Sequence, residues 1–313
     1  MDLRRPFRHV DAIACGALTR HDLVDGSYRL LFDGVSVRVE VTITMALRTA
    51  GAVLAYPGAV VGGLAAAAMW DVDVAPSDTT VDLHVGASGL RTRPGVRLHR
   101  SCLDEDEIGL VDGVRVTTPA RTALDLARSL ARDEAVAVLD ALLGATGTDP
   151  TLVRAMAGRH RGDRGMDAVG PVLAWVDPRS PSPAASRLRV GLLARGLAVP
   201  VVAQRLLDGE GRAVGDLALA WPGVRVGVAH TAGVRRAAAA VGWEVFEVRG
   251  DAAGEWGTRR RAAPIDELAR WVERVADRWD PAPRVGGRNP LRLPPPPGPD
   301  GECDGGLSRL VPA

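Results

Sequence analysis

Side chains with the types and spacing that chemistry requires are few in this sequence. All 39 basic residues are arginine, so mechanisms that need a lysine nucleophile or Schiff base are excluded. The densest acidic group is the run at residues 103–107, read as Leu-Asp-Glu-Asp-Glu. Neighbouring side chains in such a run point apart instead of converging on one ion. We therefore interpret this run as a solvated loop and not as a metal site.

A second charged pair, Arg121 and Asp125, follows a helix start. Thr118 is a favourable N-cap and Pro119 fits the first helical position. The i, i+4 spacing places both charges on one helix face, which predicts a surface ion pair that supports the helix. Contact with a partner protein is the alternative role for this pair.

The N-terminal segment, residues 1–48, predicts a small winged helix. Residues 12–17 and 18–24 are interpreted as two short helices, and a hairpin over residues 28–39 turns at Asp33-Gly34. The second helix would act as the recognition helix in a DNA groove. Five residues of this segment are candidate DNA contacts: Thr19, Arg20 and His21 at the start of that helix, and Arg29 and Arg38 on the wing.

An uncharged stretch at residues 50–70 is long enough to cross a membrane. It consists mostly of alanine and glycine and contains Pro57-Gly58, so a buried helix-turn-helix pair is the favoured interpretation. The three widely spaced cysteines, Cys15, Cys102 and Cys303, fit a reducing compartment. With no signal peptide visible at the N-terminus, we expect a cytoplasmic protein without a membrane partner.

The middle region, residues 49–158, predicts a mixed α/β unit. Alternating residues indicate strands at 80–85 and 96–100. A helical stripe then joins Val136, Leu139 and Leu143. The glycine-rich and arginine-rich residues 158–165 are interpreted as a linker to the next domain.

The C-terminal part, residues 159–279, predicts a mixed sheet flanked by helices. Ser182-Pro183 opens a helix whose inner face carries Ala185, Leu188 and Leu192. The pattern then predicts, in order, strands at 199–206, 214–221 and 224–230, a helix at 234–240, a strand at 243–248 and a helix at 265–279. Residues 280–313 are rich in proline and glycine and are predicted to be disordered.

The segment Gly113–Asp125, read as Gly-Val-Arg-Val-Thr-Thr-Pro-Ala-Arg-Thr-Ala-Leu-Asp, resembles the hallmark of an actinobacterial family of AbiEi-type antitoxin-like proteins. Members of that family carry a C-terminal endonuclease-like domain related to very-short-patch repair nucleases. The Ser182-Pro183 start, the strand ending at Trp221 and Gly242-Trp243 match in order, and the resemblance covers residues 6–275. It implies a PD-(D/E)xK nuclease fold, in which carboxylates hold Mg²⁺ against a phosphate.

The acidic positions that this resemblance implies are occupied by alanine. They are Ala185 on the Ser-Pro helix, Ala218 three residues before the strand-ending tryptophan, and Ala229 after the third strand. Without these carboxylates a hard divalent cation lacks ligands. The resemblance therefore implies a retained fold that has lost its chemistry.

Asp216 is the one candidate for a relocated acidic ligand, since it shares a strand face with Ala218. His230 stands close to the same positions but nearly alone. An endonuclease with a rearranged, Mg²⁺-dependent site built on Asp216 therefore stays as the alternative function.

The leading hypothesis is a non-catalytic, cofactor-free DNA-binding or partner-binding protein that resembles an AbiEi-type antitoxin and autoregulator. The expected partners are its own promoter DNA and a cognate toxin, with no small-molecule substrate. A net charge of +1 gives no global argument for nucleic acid. A decayed protein kept as an interaction scaffold is a third interpretation.

Overall fold

The computed structural model describes residues 1–72, 76, 78–86, 89–248 and 263–279, and over these residues the fold is mixed α and β, as predicted. Sheets of three, five and four strands follow one another along the described chain. The five-stranded and four-stranded sheets pack against helices from their own parts of the sequence, whereas the three-stranded sheet also packs against the helix Met45–Ala55 of the central part. Two of the contacts between parts are described below.

The N-terminal sheet contains the hairpin that the sequence predicts. Its elements are β1 (Phe7–Arg8), α1 (His9–Ala14), β2 (Tyr28–Phe32) and β3 (Val35–Arg38), with the strand order β1-β3-β2. The hairpin pairs Leu30 with Ser36 and Phe32 with Val35. Gly34 has a φ of +76°, which is the left-handed conformation that a tight Asp-Gly turn needs.

The predicted second helix at residues 18–24 is wrong, because this segment forms turns. Thr19 and Asp22 exchange the hydrogen bonds of a capping motif, but no helix follows. The segment is short and Val24 is exposed, so little packing supports a helix. Gly26 has a φ of +90°, which is outside the helical region. The first helix is also shifted, to His9–Ala14 instead of residues 12–17. The N-terminal segment therefore lacks the recognition helix that the predicted winged helix requires.

The central part begins with helices and strands that alternate. Its first elements are α2 (Met45–Ala55), β4 (Val60–Gly62), α3 (Gly63–Met69), β5 (Val81–His84), β6 (Val96–His99), β7 (Ile108–Val111) and β8 (Val114–Thr117). The strand order is β6-β5-β4-β8-β7, in which β4–β8 and β5–β6 are parallel. The predicted strands at 80–85 and 96–100 are confirmed as β5 and β6.

The uncharged stretch at residues 50–70 forms two helices with a turn at Pro57-Gly58, as predicted, but the pattern missed the strand between them. That strand, β4, lies in the middle of the five-stranded sheet and is buried. Three residues are too few for an alternating pattern to identify a strand.

Four helices complete the central part: α4 (Pro119–Ser129), α5 (Arg132–Thr146), α6 (Pro150–Arg159) and α7 (Val169–Leu173). Thr118 caps α4 by accepting from the backbone N–H of Arg121, as predicted. The predicted stripe of Val136, Leu139 and Leu143 is fully buried in the core that these helices share.

The C-terminal part has the element order that the sequence predicts. Its elements are α8 (Pro183–Leu193), β9 (Val201–Leu207), β10 (Ala213–Trp221), β11 (Val226–Ala229), α9 (Ala232–Ala240), β12 (Glu244–Glu247) and α10 (Ala263–Trp279). The sheet is mixed, with β11 and β12 parallel and the other pairs antiparallel. Side chains of α8 and α10 share one core cluster with this sheet, and α9 joins another.

Contacts at the hairpin and at α5 join the parts of the chain. Phe32 and Val35 of the hairpin belong to the same core cluster as the central strands. Between α5 and α8, Arg189 donates to Asp140 at 2.6 Å, and both side chains are buried. The proposed division at residues 48 and 49 falls inside α2, and the proposed domain boundaries stay predictions.

No single helix in the described part of the chain is both long and apolar enough to cross a membrane. Together α5 and α6 have the length and composition of a membrane span, but the pair is bent by 115° and many of its apolar side chains lie in the central core. Cys15 and Cys102 are free and exposed. Cys303 and the predicted disordered tail, residues 280–313, lie outside the described residues.

Candidate functional site

The predicted DNA contacts of the first segment lie in an exposed turn. Arg20 and His21 are exposed. Thr19 donates its backbone N–H and its hydroxyl to Asp22, at 2.7 and 2.8 Å, and these bonds lower the pKa of the Asp22 carboxyl. Thr19 thus shapes the turn, and the two basic side chains beside it face solvent.

The two predicted wing arginines lie on opposite faces of the hairpin. Arg38 pairs in register with Tyr28, whereas Arg29 pairs with Val37, and adjacent positions of a strand point to opposite faces. The Arg38 guanidinium lies 3.5 Å from Glu40 and over the Tyr28 ring. One flat surface cannot contact both arginines through this hairpin.

The three alanines that occupy the implied acidic positions are all buried. Leu219 on β10 pairs with Val228 on β11 in an antiparallel register. The next positions along the two strands, Ala218 and Ala229, therefore also lie opposite each other. Ala185 lies in the first turn of α8, where its N–H donates to the Ser182 hydroxyl. Methyl groups at these positions pack into the C-terminal core.

Asp216 has a partner other than a metal. It is the register partner of Arg205 on β9, and the two side chains form an exposed ion pair at 3.3 Å. His230 lies beyond the end of β11, and burial lowers its pKa. Among the described residues no group of three or more His, Cys, Asp or Glu side chains is arranged to hold a metal ion.

Arg121 is the centre of a buried charge network, so the predicted surface location of its ion pair is wrong. The i, i+4 pair itself forms, with Nε 3.0 Å from Asp125 Oδ2, and Nη1 also donates to Glu107 at 2.6 Å. The Arg121 side chain is 1% exposed. The cause is the position of α4, whose residues are buried without interruption from Ala120 to Ala127.

Glu107 also corrects a prediction, because it is buried although the rest of the acidic run is largely exposed. Its carboxylate accepts from Arg121 and lies 2.6 Å from Nε2 of His160. Burial opposes the charged form, but the contacts from His160 and Arg121 outweigh burial and hold the pKa of Glu107 below its usual value. The carboxylate is therefore ionised inside the protein.

The predicted linker at residues 158–165 is part of the same network and does not behave as a free connection. His160 contacts Glu107, and Asp163 accepts from Arg128 at 3.1 Å. Arg159 reaches Asp106 at 2.6 Å. Three charged residues of this stretch, Arg159, His160 and Asp163, are thus paired with charges on α4 and on the acidic run.

His84 extends the network to β5. Its Nε2 lies 3.6 Å from Asp125 Oδ2, and its Nδ1 lies 3.0 Å from the Ser101 hydroxyl. Burial lowers the pKa of His84 to about 4, against the attraction of Asp125. At neutral pH this imidazole is therefore uncharged and stacks on His99, with 5.0 Å between the ring centroids.

Between β5, β6 and α4 lies a cleft of about 330 Å³, which we call the β5–α4 cleft. Asp82 Oδ1 accepts from His99 at 2.7 Å and from Arg97 at 3.3 Å on one side. Asp125 and Arg128 form the other side. The lining residues are Gly63, Leu64, Thr79, Thr80, Asp82, His84, Arg97, His99, Asp125, Leu126, Arg128, Ser129 and Leu130.

Sequence reasoning missed this cleft, although a signal for it exists. The two strands read Val-Asp-Leu-His at 81–84 and Val-Arg-Leu-His at 96–99, and they pair in parallel with these four residues in register. The repeat brings Asp82 opposite Arg97 and His84 opposite His99. Each strand was recognised by its alternation, but alternation does not identify the partner strand.

We expect Arg121→Met to lower the free energy of unfolding by about 3–5 kcal/mol, because it removes the buried cation that lies between two buried carboxylates. Urea denaturation of the full chain at pH 7.5 measures this loss. The matched control is Arg115→Met on β8, an exposed arginine that donates to the Gly58 carbonyl, which should cost less than about 1 kcal/mol. Equal losses in the two variants would contradict a central role for Arg121.

The low pKa of His84 makes stability depend on pH. The unfolded chain takes up this proton near pH 6.5 and the folded chain only near pH 4, so the free energy of unfolding should fall as pH drops between these values. At pH 5 the loss attributable to His84 is about 2 kcal/mol.

The measurement compares wild type with His84→Gln in urea at pH 8 and pH 5. Subtracting the two proteins removes the contributions of carboxylates such as Glu107. The destabilisation caused by the substitution should shrink by about 2 kcal/mol at the lower pH. If the destabilisation is the same at both pH values, His84 has the same pKa in the folded protein as in the unfolded chain.

A sequence match to a known protein family lies in the central part of the chain. Residues 52–175 match the family described as the AbiEi antitoxin C-terminal domain. The matched segment contains the whole Arg121 network from His84 to His160 and the residues that line the β5–α4 cleft.

Two relatives are uncharacterized proteins of Mycobacterium tuberculosis, from strain CDC 1551 and strain H37Rv. Each is 32% identical to the chain over 161 residues, which is 51% of this chain and 58% of the relative. The chain thus spans little more than half the length of the relatives that it matches. Together the matches support an AbiEi-like family, through a central domain similar to the C-terminal domain of AbiEi antitoxins.

Proposed function

We propose that this protein is a non-catalytic, antitoxin-like regulator that binds DNA, with its own promoter as the target and a cognate toxin as a protein partner. The observation that carries the proposal is the match of residues 52–175 to an antitoxin domain. In this chain the matched residues form a five-stranded sheet with its own buried core. A folded antitoxin-like domain needs no catalytic group to act by binding.

Two exposed basic surfaces support DNA as the ligand. The first is the turn with Arg20 and His21. The second, which we call the basic strip, is the segment 91–100, which contains four arginines, one histidine and no acidic residue. Within it Arg91 and Arg100 are exposed. Guanidinium groups that face solvent can contact phosphates, and such contacts give affinity without sequence information.

The basic strip is held beside the N-terminal hairpin. Arg93 donates to the backbone carbonyl of Asp33 at 2.8 Å and lies over the Tyr56 ring. Two buried neighbours of this contact, Phe32 and Val96, share one core cluster. This anchoring fixes the strip relative to the hairpin, so a DNA backbone could contact both in one binding mode.

Binding to DNA should depend steeply on salt, because each phosphate contact releases counterions. We expect Arg20→Ala and Arg91→Ala each to weaken binding to the protein's own upstream DNA and to reduce the slope of log K against log salt by about 1. Mobility-shift titrations with the full chain at several salt concentrations measure both quantities.

The matched control is Arg236→Ala, an equally exposed arginine on α9 of the C-terminal part. It should leave affinity and salt slope unchanged. No retardation of DNA at micromolar wild-type protein would reject the proposal. A loss in the control as large as that in Arg20→Ala and Arg91→Ala would reject these two surfaces as the contact.

We further propose that residues 159–279 are a nuclease-like scaffold without activity. The support is the burial of Ala185, Ala218 and Ala229 and the engagement of Asp216 with Arg205. Hydrolysis of a phosphodiester with Mg²⁺ needs carboxylates that hold the ion and activate water, and the implied positions present methyl groups instead.

We expect no nicking of supercoiled or mismatched DNA by the full chain in Mg²⁺ or Mn²⁺. Gel analysis of plasmid topology over hours measures the activity. The alternative function, an endonuclease with a rearranged site, requires metal-dependent nicking that Asp216→Asn abolishes. That result would replace the inactive scaffold with the enzyme.

A further inference from the structure

We propose that the β5–α4 cleft is a binding site for a small zwitterion with an aliphatic side chain, the chemical class of the α-amino acids. The sequence alone predicts no small-molecule partner, and the cleft forms only when β5, β6 and α4 come together. The two arginines whose variants test DNA binding, Arg20 and Arg91, do not line the cleft, although Arg97 and His99 belong both to the basic strip and to the lining.

The charges of the lining favour a ligand that carries both signs. Two guanidinium groups, Arg97 and Arg128, and two carboxylates, Asp82 and Asp125, face the same cleft. Fixed charges of both signs with no excess of either attract a zwitterion more strongly than an ion of one sign.

The carboxylate of Asp125 has unused hydrogen-bonding capacity. Its Oδ1 is buried and makes no hydrogen bond, although Arg128 Nη2 lies 2.9 Å away outside hydrogen-bonding geometry. A buried acceptor without a donor costs free energy. In the proposed complex the ammonium group of the ligand supplies that donor, which requires a shift of the neighbouring Arg128 side chain, because Oδ1 is closed to solvent.

A place for the ligand carboxylate lies across the cleft. Arg97 is 64% exposed and contacts Asp82 through Nη1 alone, at 3.3 Å. Its remaining N–H groups can form charge-assisted hydrogen bonds with a ligand carboxylate. The ammonium and the carboxylate would therefore bind on the α4 side and the β6 side respectively.

Two glycines allow the polar floor of the cleft to form. A Cβ on Gly62 would lie 2.7 Å from His84 Nε2, and one on Gly63 would lie 2.8 Å from Asp82 Oδ2. Gly63 also has a φ of +58°, which larger residues adopt at a cost. The backbone at the start of α3 is thus open to the two polar side chains that line the cleft.

The rest of the lining is aliphatic. Leu64, Leu126 and Leu130 contribute to the wall, and Leu64 and Leu130 are only half-buried. The volume of about 330 Å³ is at the small end of ligand pockets. A branched aliphatic side chain of a few carbon atoms would cover the exposed leucine surface and remove it from water.

The same features disfavour other ligand classes. A divalent cation would meet two guanidinium groups in the cleft, and no suitable group of metal ligands occurs among the described residues. A phosphate dianion would meet the two carboxylates without an excess of positive charge. Neither class uses the leucine wall.

The test uses three probes that differ by one charged group. L-Leucine carries both charges, 3-methylbutylamine lacks the carboxylate, and 4-methylpentanoate lacks the ammonium. Titration of the full chain by NMR and calorimetry should give a dissociation constant for L-leucine about tenfold or more below that of either analogue. Inorganic phosphate and Mg²⁺ are titrated as representatives of the disfavoured classes.

Two variants change the charge of the lining in opposite directions. Arg97→Gln leaves an excess of negative charge, so L-leucine should bind about tenfold more weakly and 3-methylbutylamine should approach it in affinity. Asp82→Asn should shift the preference towards 4-methylpentanoate. The control is Arg115→Gln, an exposed arginine of β8 that does not line the cleft, and it should bind L-leucine as wild type does.

Four outcomes would overturn the proposal. With the wild type they are no saturable binding of L-leucine, equal binding of all three probes, and preferential binding of phosphate or Mg²⁺. The fourth is an equal loss in Arg115→Gln and Arg97→Gln, since it would place the ligand outside the cleft. DNA binding is measured separately, so its failure leaves these outcomes unaffected.

Discussion

The central domain depends on one buried cation, the Arg121 guanidinium. It lies between the carboxylates of Glu107 and Asp125, and through them it joins α4 to the acidic run and to His84 on β5. Glu107 continues the connection to His160 at the end of α6. Each charge removed from water in this network requires the others. The network therefore fixes one relative position for the sheet and the helices that cover it.

The motif at residues 113–125 has a structural role in this network. Thr118 caps α4 and Pro119 starts it. The hydrogen bond between Thr117 and Thr122 and the Arg121–Asp125 pair hold α4 in the core. In this chain the motif builds the fold, and its last residue, Asp125, also lines the β5–α4 cleft. Other residues that could meet a partner lie on the basic strip and elsewhere in that cleft, where the network positions β5 and α4.

The C-terminal part is tied to the central domain by the same kind of interaction. Burial raises the pKa of Asp140 to about 6, so at neutral pH it is ionised beside Arg189 of α8. Arg187 of α8 also forms two hydrogen bonds to Glu134 of α5. The helix that begins the C-terminal part is therefore held to the helices of the central domain.

The sequence by itself determined the elements that local patterns specify. Thr118 and Ser182 with their following prolines marked helix starts, Asp33-Gly34 marked the hairpin, and the order of elements from α8 to β12 followed from alternation and apolar runs. Local rules failed at residues 18–24, where a capping motif exists but no buried face continues it into a helix. A cap stabilises only a helix that packing also supports.

Only the tertiary structure decided which charges are buried and which strands are partners. The spacing of Arg121 and Asp125 predicted their pairing, but their burial follows from the strands and helices on both sides of α4, which no local pattern reveals. Glu107 and His160 are 53 residues apart and meet only in the folded chain. Likewise Asp82 and His99 form one side of the cleft because β5 and β6 pair in parallel. Alternation specifies that a strand exists, whereas the choice of its neighbour depends on the packing of the whole domain.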